Sequence, residues 1–136
     1  MSELDNFLGW VKSRQRDAEV AIHNGDEGPR LATWSHNEPV SVLGAWFSAT
    51  GWDEVDRMFH RLAASFSGCA SYEYDIVAAE VSGDLAYTVG YEHTSATVDG
   101  EPRQYTLRVT NVYRREDGDW KVVHRHAEPP PNGSSG

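Results

Sequence analysis

The stretch Arg114-Arg115-Glu116-Asp117-Gly118-Asp119-Trp120-Lys121-Val122-Val123-His124-Arg125-His126 decides how this chain folds. Its centre, Glu116-Asp117-Gly118, separates two segments rich in β-branched and aromatic residues, 102–115 and 120–127. A short charged turn containing glycine between two such segments predicts a β-hairpin. Working outward, Asp99-Gly100 separates 102–115 from another such run at 85–98, and Ser82-Gly83-Asp84 separates that run from 70–81. The second half is therefore expected to be an antiparallel meander.

The first half has a different period. Leu4, Phe7, Leu8, Val11, Ala18 and Ile22 recur every three or four residues before Asn24-Gly25, which predicts an amphipathic helix over 3–24 whose stripe lapses at Arg14 and Gln15. Pro29 suits the first turn of a short second helix running towards Trp34. Thr50-Gly51-Trp52-Asp53 has capping-box spacing, and Val55, Met58, Phe59, Leu62, Ala63 and Phe66 form the stripe of a third helix that Ser67-Gly68 ends. Between these helices, residues 38–44 read as a short strand, with Pro39 placing it near an edge. Helices followed by hairpins predict an α+β fold in which about three helices pack on one face of a strongly curved, mainly antiparallel sheet.

With 136 residues and 15.2 kDa, one domain is expected over 1–128, followed by a disordered Pro-, Gly- and Ser-rich tail over 129–136. The formal charge of -9 leaves no basic face for a phosphate backbone, so nucleic acid is not an expected partner. Cys69 is the single cysteine and has no basic neighbour in sequence to activate it. With no disulfide, no signal-like apolar segment and no span-length apolar run, a cytoplasmic location without membrane contact is expected.

From Trp34 to Glu128 the order of elements resembles the SnoaL-like branch of the NTF2-like superfamily, close to the calcium/calmodulin-dependent protein kinase association domain. The strings that carry the resemblance are Pro39-Val40 with Leu43-Gly44-Ala45, Gly51-Trp52-Asp53-Glu54-Val55, and above all 114–126 with Thr110 upstream. The resemblance implies a cone with a deep pocket and a homodimer formed on the outer sheet face. It also implies relatives that are cyclases, isomerases, hydrolases or non-catalytic binders, so the fold alone does not decide the chemistry.

Register assigns side chains to faces. A two-residue Asp99-Gly100 turn sets Tyr91 opposite Arg108 and Glu92 opposite Leu107. A type I turn on Glu116-Asp117 with Gly118 as the bulge residue sets Asn111 opposite Val123 and Arg108 opposite His126. One face then carries Glu92, Tyr105, Asn111, Tyr113, Val123 and Arg125; the other carries Tyr91, His93, Arg108, Val122, His124 and His126. The kinase-association family's pocket arginines align with Glu92, Asn111 and Ala127, so the resemblance implies that the first face is concave. None of those arginines is present, which points to a neutral or basic ligand, with Arg125 as a replacement cation.

The candidate ligand-binding residues are therefore Glu92, Tyr105, Asn111, Tyr113 and Arg125, with Trp46 from the segment that roofs the cone. Trp34, His36, Phe47 and Trp52 flank the same roof, where aromatics either clamp a flat ligand or pack helices onto the sheet. Glu38 beside Pro39-Val40 is similar to the Asp-Pro-Val that carries the general base of ketosteroid isomerases, and it is the candidate catalytic residue. That isomerase's phenolic donor on the first helix has no counterpart, since no tyrosine precedes Tyr72. Asp53 and Glu54 read as helix-dipole partners. His93, His124 and His126 have enough nitrogens for a zinc site, but an interface network explains them as well, and no metal or cofactor is assigned. The expected function is binding of a small apolar or aromatic molecule, extending to acid–base isomerase, cyclase or hydrolase chemistry. The competing expectation is a non-catalytic binding or dimerisation module.

Overall fold

The structure, a computed structural model, describes residues 2–131; the remainder of the predicted tail, 132–136, lies outside the described residues. The first helical rod comprises α1 (Glu3–Trp10), a π-turn (Val11–Gln15) and α2 (Arg16–Ile22). Ser2 caps it by accepting the Asp5 N–H at 3.0 Å, and Phe7, Val11, Ala18 and Ile22 are buried along one side. The lapse in the apolar stripe coincides with the π-turn. The wider turn carries Gln15 inward, where its side-chain oxygen accepts the Tyr113 hydroxyl at 2.7 Å.

Gly25 takes the left-handed conformation (φ 88°) and turns the chain towards α3 (Gly28–Thr33), which has Pro29 in its first turn. The third rod, α4 (Trp52–Ser65), buries Val55, Met58, Phe59, Leu62 and Ala63 as the periodicity predicts. Its cap differs from the expected capping box: Gly51 occupies the cap position, and no Thr50 side-chain bond is made. Two glutamates serve the orphan amides instead. Glu54 accepts the Thr50 N–H at 3.0 Å and Glu38 accepts the Trp52 N–H at 2.7 Å.

Six strands form one sheet in the order β2-β1-β6-β5-β4-β3. They are β1 (Ser41–Leu43), β2 (Ser48–Thr50), β3 (Phe66–Ser82), β4 (Leu85–Val98), β5 (Glu101–Glu116) and β6 (Asp119–Glu128). All pairs are antiparallel except β1 with β6, where Ser41 lies beside His124. The strand read from 38–44 is shorter than expected and lies one place in from the edge, which β2 occupies. The sheet curls without closing around the helices, giving an α+β cone. Its core joins helix to sheet through edge-to-face aromatic pairs, with Phe7 against Tyr113 at 4.8 Å and Trp34 against Phe59 at 5.1 Å.

The Asp99-Gly100 turn pairs Tyr91 with Arg108 and Glu92 with Leu107, as its two-residue length predicts. The next turn departs from expectation. Asp117 and Gly118 both have positive φ (52° and 80°), so the turn has two residues, Glu116 pairs with Asp119, and the bulge lies farther along the hairpin. Ladder register changes between Val112 and Tyr113, so Asn111 meets Arg125 rather than Val123, and Arg108 meets Glu128 rather than His126. Beyond the bulge the slip is two residues and preserves side-chain parity, so Asn111 and Arg125 keep their face. Between turn and bulge it is one residue, and Val122 sits opposite Tyr113 instead of on the outer face. At the bulge itself Val122 and Val123 are both buried, although they were assigned to opposite faces.

Candidate functional site

Glu92, Leu107, Val109, Asn111, Tyr113 and Arg125 are all buried on the concave face, whereas Tyr91, His93 and His126 are exposed on the outer face. Arg125 and Glu92 form a bidentate pair, with Nη1 donating to Oε2 at 2.9 Å and Nη2 donating to Oε1 at 2.7 Å. Tyr72 donates its hydroxyl to the same Glu92 Oε2 at 2.8 Å. Burial pushes the Glu92 carboxyl up, but the Arg125 charge and its hydrogen bonds outweigh burial and hold the group down at about 2.

The first helical rod and α3 supply the facing half. Arg30 pairs with Glu19 through two hydrogen bonds, Nε to Oε2 at 3.0 Å and Nη2 to Oε1, and both side chains are buried. His23 Nδ1 lies 2.7 Å from the Glu19 carbonyl oxygen, which can only accept, so Nδ1 carries the proton in the neutral ring. His23 Nε2 then accepts the Tyr105 hydroxyl at 2.8 Å. Burial lowers the His23 pKa below its ordinary 6.5 and raises that of Tyr105, so His23 is held neutral and Tyr105 protonated.

Gln15, Glu19 and His23 stand four residues apart on the rod, and all three are buried. This polar line beside the apolar stripe was the signal in the sequence that could have located the helical half of the site. Periodicity analysis counts only apolar positions and passes over it. Arg30 and Tyr72 had no comparable signal.

Between the two halves lies a small, partly open chamber of about 40 Å³. His23, Arg30, Glu92, Tyr105 and Arg125 form its polar end, while Val42, Phe47, Met58, Leu62 and Leu107 make apolar walls. Trp46 stands at its rim, edge-on to Tyr105 at 5.3 Å between ring centres. An open groove of about 1040 Å³ runs over the β3–β5 surface past Ser71, Glu73 and His93; it touches Tyr72 and Tyr105, but His23, Glu92, Arg30 and Arg125 do not line it. Deeper in the cone the hydroxyls of Tyr74, Thr88 and Tyr113 donate in turn towards Gln15. Asn111 is buried beside Thr88 and Arg125 in the ladder, with neither side-chain polar atom hydrogen-bonded to protein.

Of the residues selected from sequence, the structure gathers Glu92, Tyr105, Arg125 and Trp46 at the chamber, and sets Asn111 and Tyr113 deeper in the same face. It gives Glu38 a different position. That side chain is exposed and spent on the Trp52 N–H at the start of α4, because the helix lacks its own side-chain cap there. The histidines disperse: His124 Nδ1 contacts Ser41 Oγ at 2.8 Å, His93 Nδ1 contacts Thr106 Oγ1 at 3.0 Å, and no group of three metal-ligating side chains gathers among the described residues.

The buried neutral His23 carries a pH prediction. Its folded pKa lies below the unfolded value, so its contribution to stability is present above pH 6.5 and is lost as pH falls through 6.5 towards the folded pKa. Urea unfolding from pH 7.5 to 5.5 is expected to show a falling midpoint, and His23→Gln is expected to flatten that slope. An equal slope in the variant would assign the effect to other groups.

A family model described as a SnoaL-like domain matches residues 16–131. Among solved structures, a protein of the NTF2-like family from Streptomyces avermitilis, provisionally named a dehydratase, superposes with a TM-score of 0.74 at 22% identity, covering 93% of this chain and 97% of that one. An NTF2-like superfamily protein from Salmonella enterica serovar Typhimurium gives 0.71 at 19% identity, covering 93% and 96%. A structure from Thiobacillus denitrificans, provisionally named a calcium/calmodulin-dependent protein kinase type II association domain, gives 0.67 at 20%, covering 88% and 92%. These likenesses establish the fold. No curated protein matches the chain.

Proposed function

The chain belongs to the SnoaL-like domain family, and we propose that it binds a small apolar or aromatic molecule in its cone and presents the His23–Tyr105 pair to it for acid–base chemistry. The observation that carries this reading is the convergence of apolar walls on one hydrogen-bonded His–Tyr pair whose neighbouring charges are already neutralised. With Arg125 committed to Glu92 and Arg30 to Glu19, the polar end holds no spare charge and suits a neutral group. A ligand hydroxyl or acidic C–H replacing the Tyr105 contact gives its proton to His23 Nε2. The freed Tyr105 O–H donates to a ligand oxygen, and its raised pKa keeps it a donor. Burial disfavours the imidazolium so formed, and the Glu19 carbonyl and charge offset part of that cost, so His23 returns the proton readily.

A second reading has its own observation. The chamber is far below the roughly 150 Å³ that admits benzene, and a cone that stays closed is a non-catalytic module. Ligand access therefore requires the Ala45–Phe47 roof to move. The homodimer implied by the resemblance remains part of the proposal, supported by Val77, Leu85, Tyr87 and Tyr91, which are exposed apolar side chains on β3 and β4.

Phenol is a suitable probe, being an aromatic ring with one hydroxyl. Phenol titration followed by NMR is expected to shift the His23 ring nitrogens and the Trp46 and Tyr105 signals, with tighter binding after Phe47→Ala. No shift at His23 in either protein would support the closed module. The rotational correlation time of the same sample reports the assembly, and a value for one 15.2 kDa chain would remove the dimer.

A further inference from the structure

Trp46, Phe47, Leu62 and Phe66 line both the chamber and a second, outer cavity of about 560 Å³, so these side chains form the wall between the two. The outer cavity has the size of an ordinary small-molecule site, roughly 300–1,000 Å³. Its lining includes Arg61 from α4, Arg103 from β5 and Asp99 from the turn between β4 and β5. Two guanidinium groups beside an apolar wall stand out in a chain of net charge -9.

Both arginines are available. Among the described residues Arg61 makes no ion pair, and its guanidinium carbon lies 5.0 Å from the Phe47 ring centre. Arg103 meets Glu101 at 3.6 Å, but those side chains are 59% and 74% exposed, and such a pair contributes little in water. Asp99 in the lining and Glu101 beside Arg103 balance the two guanidinium charges. An anion is therefore drawn here by local placement, above all by Arg61, which has no carboxylate partner among the described residues, rather than by a net positive charge. Trp46, 57% exposed, adds an aromatic surface that reaches inward to Tyr105.

We infer that the outer cavity is a mouth subsite for an aromatic monocarboxylate, with the ring against Trp46 and Phe47 and the carboxylate between Arg61 and Arg103. This rests on the reading that the wall fronts a ligand chamber, and it adds the charge class of the ligand. The division of labour follows from the ion pairs. Inside, both guanidinium groups are committed to Glu19 and Glu92, so a carboxylate gains nothing there. Outside, guanidinium groups without strong partners offer charge-assisted hydrogen bonds beside a ring that already accepts a cation. The anion is held at the mouth while the neutral part of the molecule points inward.

Isothermal titration calorimetry with 2-naphthoate and its neutral analogue 2-naphthamide tests this. At low salt the wild-type protein is expected to bind naphthoate about tenfold more tightly than the amide, with the preference shrinking as salt is added. In Arg61→Gln/Arg103→Gln, with circular dichroism confirming the fold, the preference is expected to fall to about twofold or less. Equal affinities in the wild type, or a preference that survives the double substitution, would overturn the anion subsite while leaving the cone reading intact. Binding of neither compound would remove both.

Discussion

Replacing Glu92 with leucine is expected to destabilise the fold by about 3–5 kcal/mol, because it leaves the Arg125 guanidinium buried without its counter-ion. Both side chains are at most 10% exposed, so little water is available to solvate the orphan. The Tyr72 hydroxyl loses its acceptor at the same time, a further cost of order 1 kcal/mol. The single substitution therefore measures an uncompensated charge rather than the value of the pair. Glu92→Leu/Arg125→Met separates the two, since exchanging both partners for apolar side chains is expected to recover most of the loss. Urea unfolding of the two variants decides it, and a double variant as unstable as the single one would show that the charge is not the cause.

The same pair sets a second acid window. The Glu92 carboxyl titrates below its unfolded value, so its contribution is present above about pH 4.5 and is lost only as pH falls towards about 2. That lies below the window of His23, which begins at pH 6.5. Acidification is thus expected to weaken the helical half of the site first and the sheet half afterwards.

Gly90→Ala is the other substitution with a large expected effect. A methyl group there would lie 2.2 Å from the Asp75 carbonyl oxygen and 3.0 Å from the Ile76 Cα, both of them backbone. Those atoms belong to the β3 bulge between Ile76 and Ala78, where strand register shifts opposite Gly90 and the sheet bends over the cone. A side chain can turn aside, but this backbone moves only by giving up ladder bonds. A loss of about 3 kcal/mol or more is expected, at or beyond the upper end for one added methyl group. Gly9→Ala is the control. Its added methyl meets nothing within 4 Å in α1, and a gain of about 0.5–1 kcal/mol is expected. Equal effects at the two positions, measured by urea unfolding, would refute the close-approach argument.

Much of the architecture was legible because its determinants are local. The α4 stripe, the Asp99-Gly100 hairpin and the alternation along β4 and β5 each occupy a few adjacent residues, and period and turn chemistry suffice to read them. The concave positions of Glu92, Asn111 and Arg125 were legible for the same reason, because the slip beyond the misplaced bulge is even; only Val122, on the turn side where the slip is odd, changed face. The helix cap was misread because the carboxylate that binds the Trp52 N–H comes from Glu38, fourteen residues upstream and outside any capping pattern.

By itself, then, the sequence determined the α+β order, the meander and the face on which Glu92, Asn111, Tyr113 and Arg125 stand, because steric period and turn conformation act over short distances. Only the tertiary structure decided what those side chains meet. Glu92 finds Arg125 thirty-three residues away, and His23 finds Tyr105 eighty-two away. Which buried charge is neutralised, and which arginine is left without a strong partner, depends on the distances and burial that arise when helices and sheet close on each other.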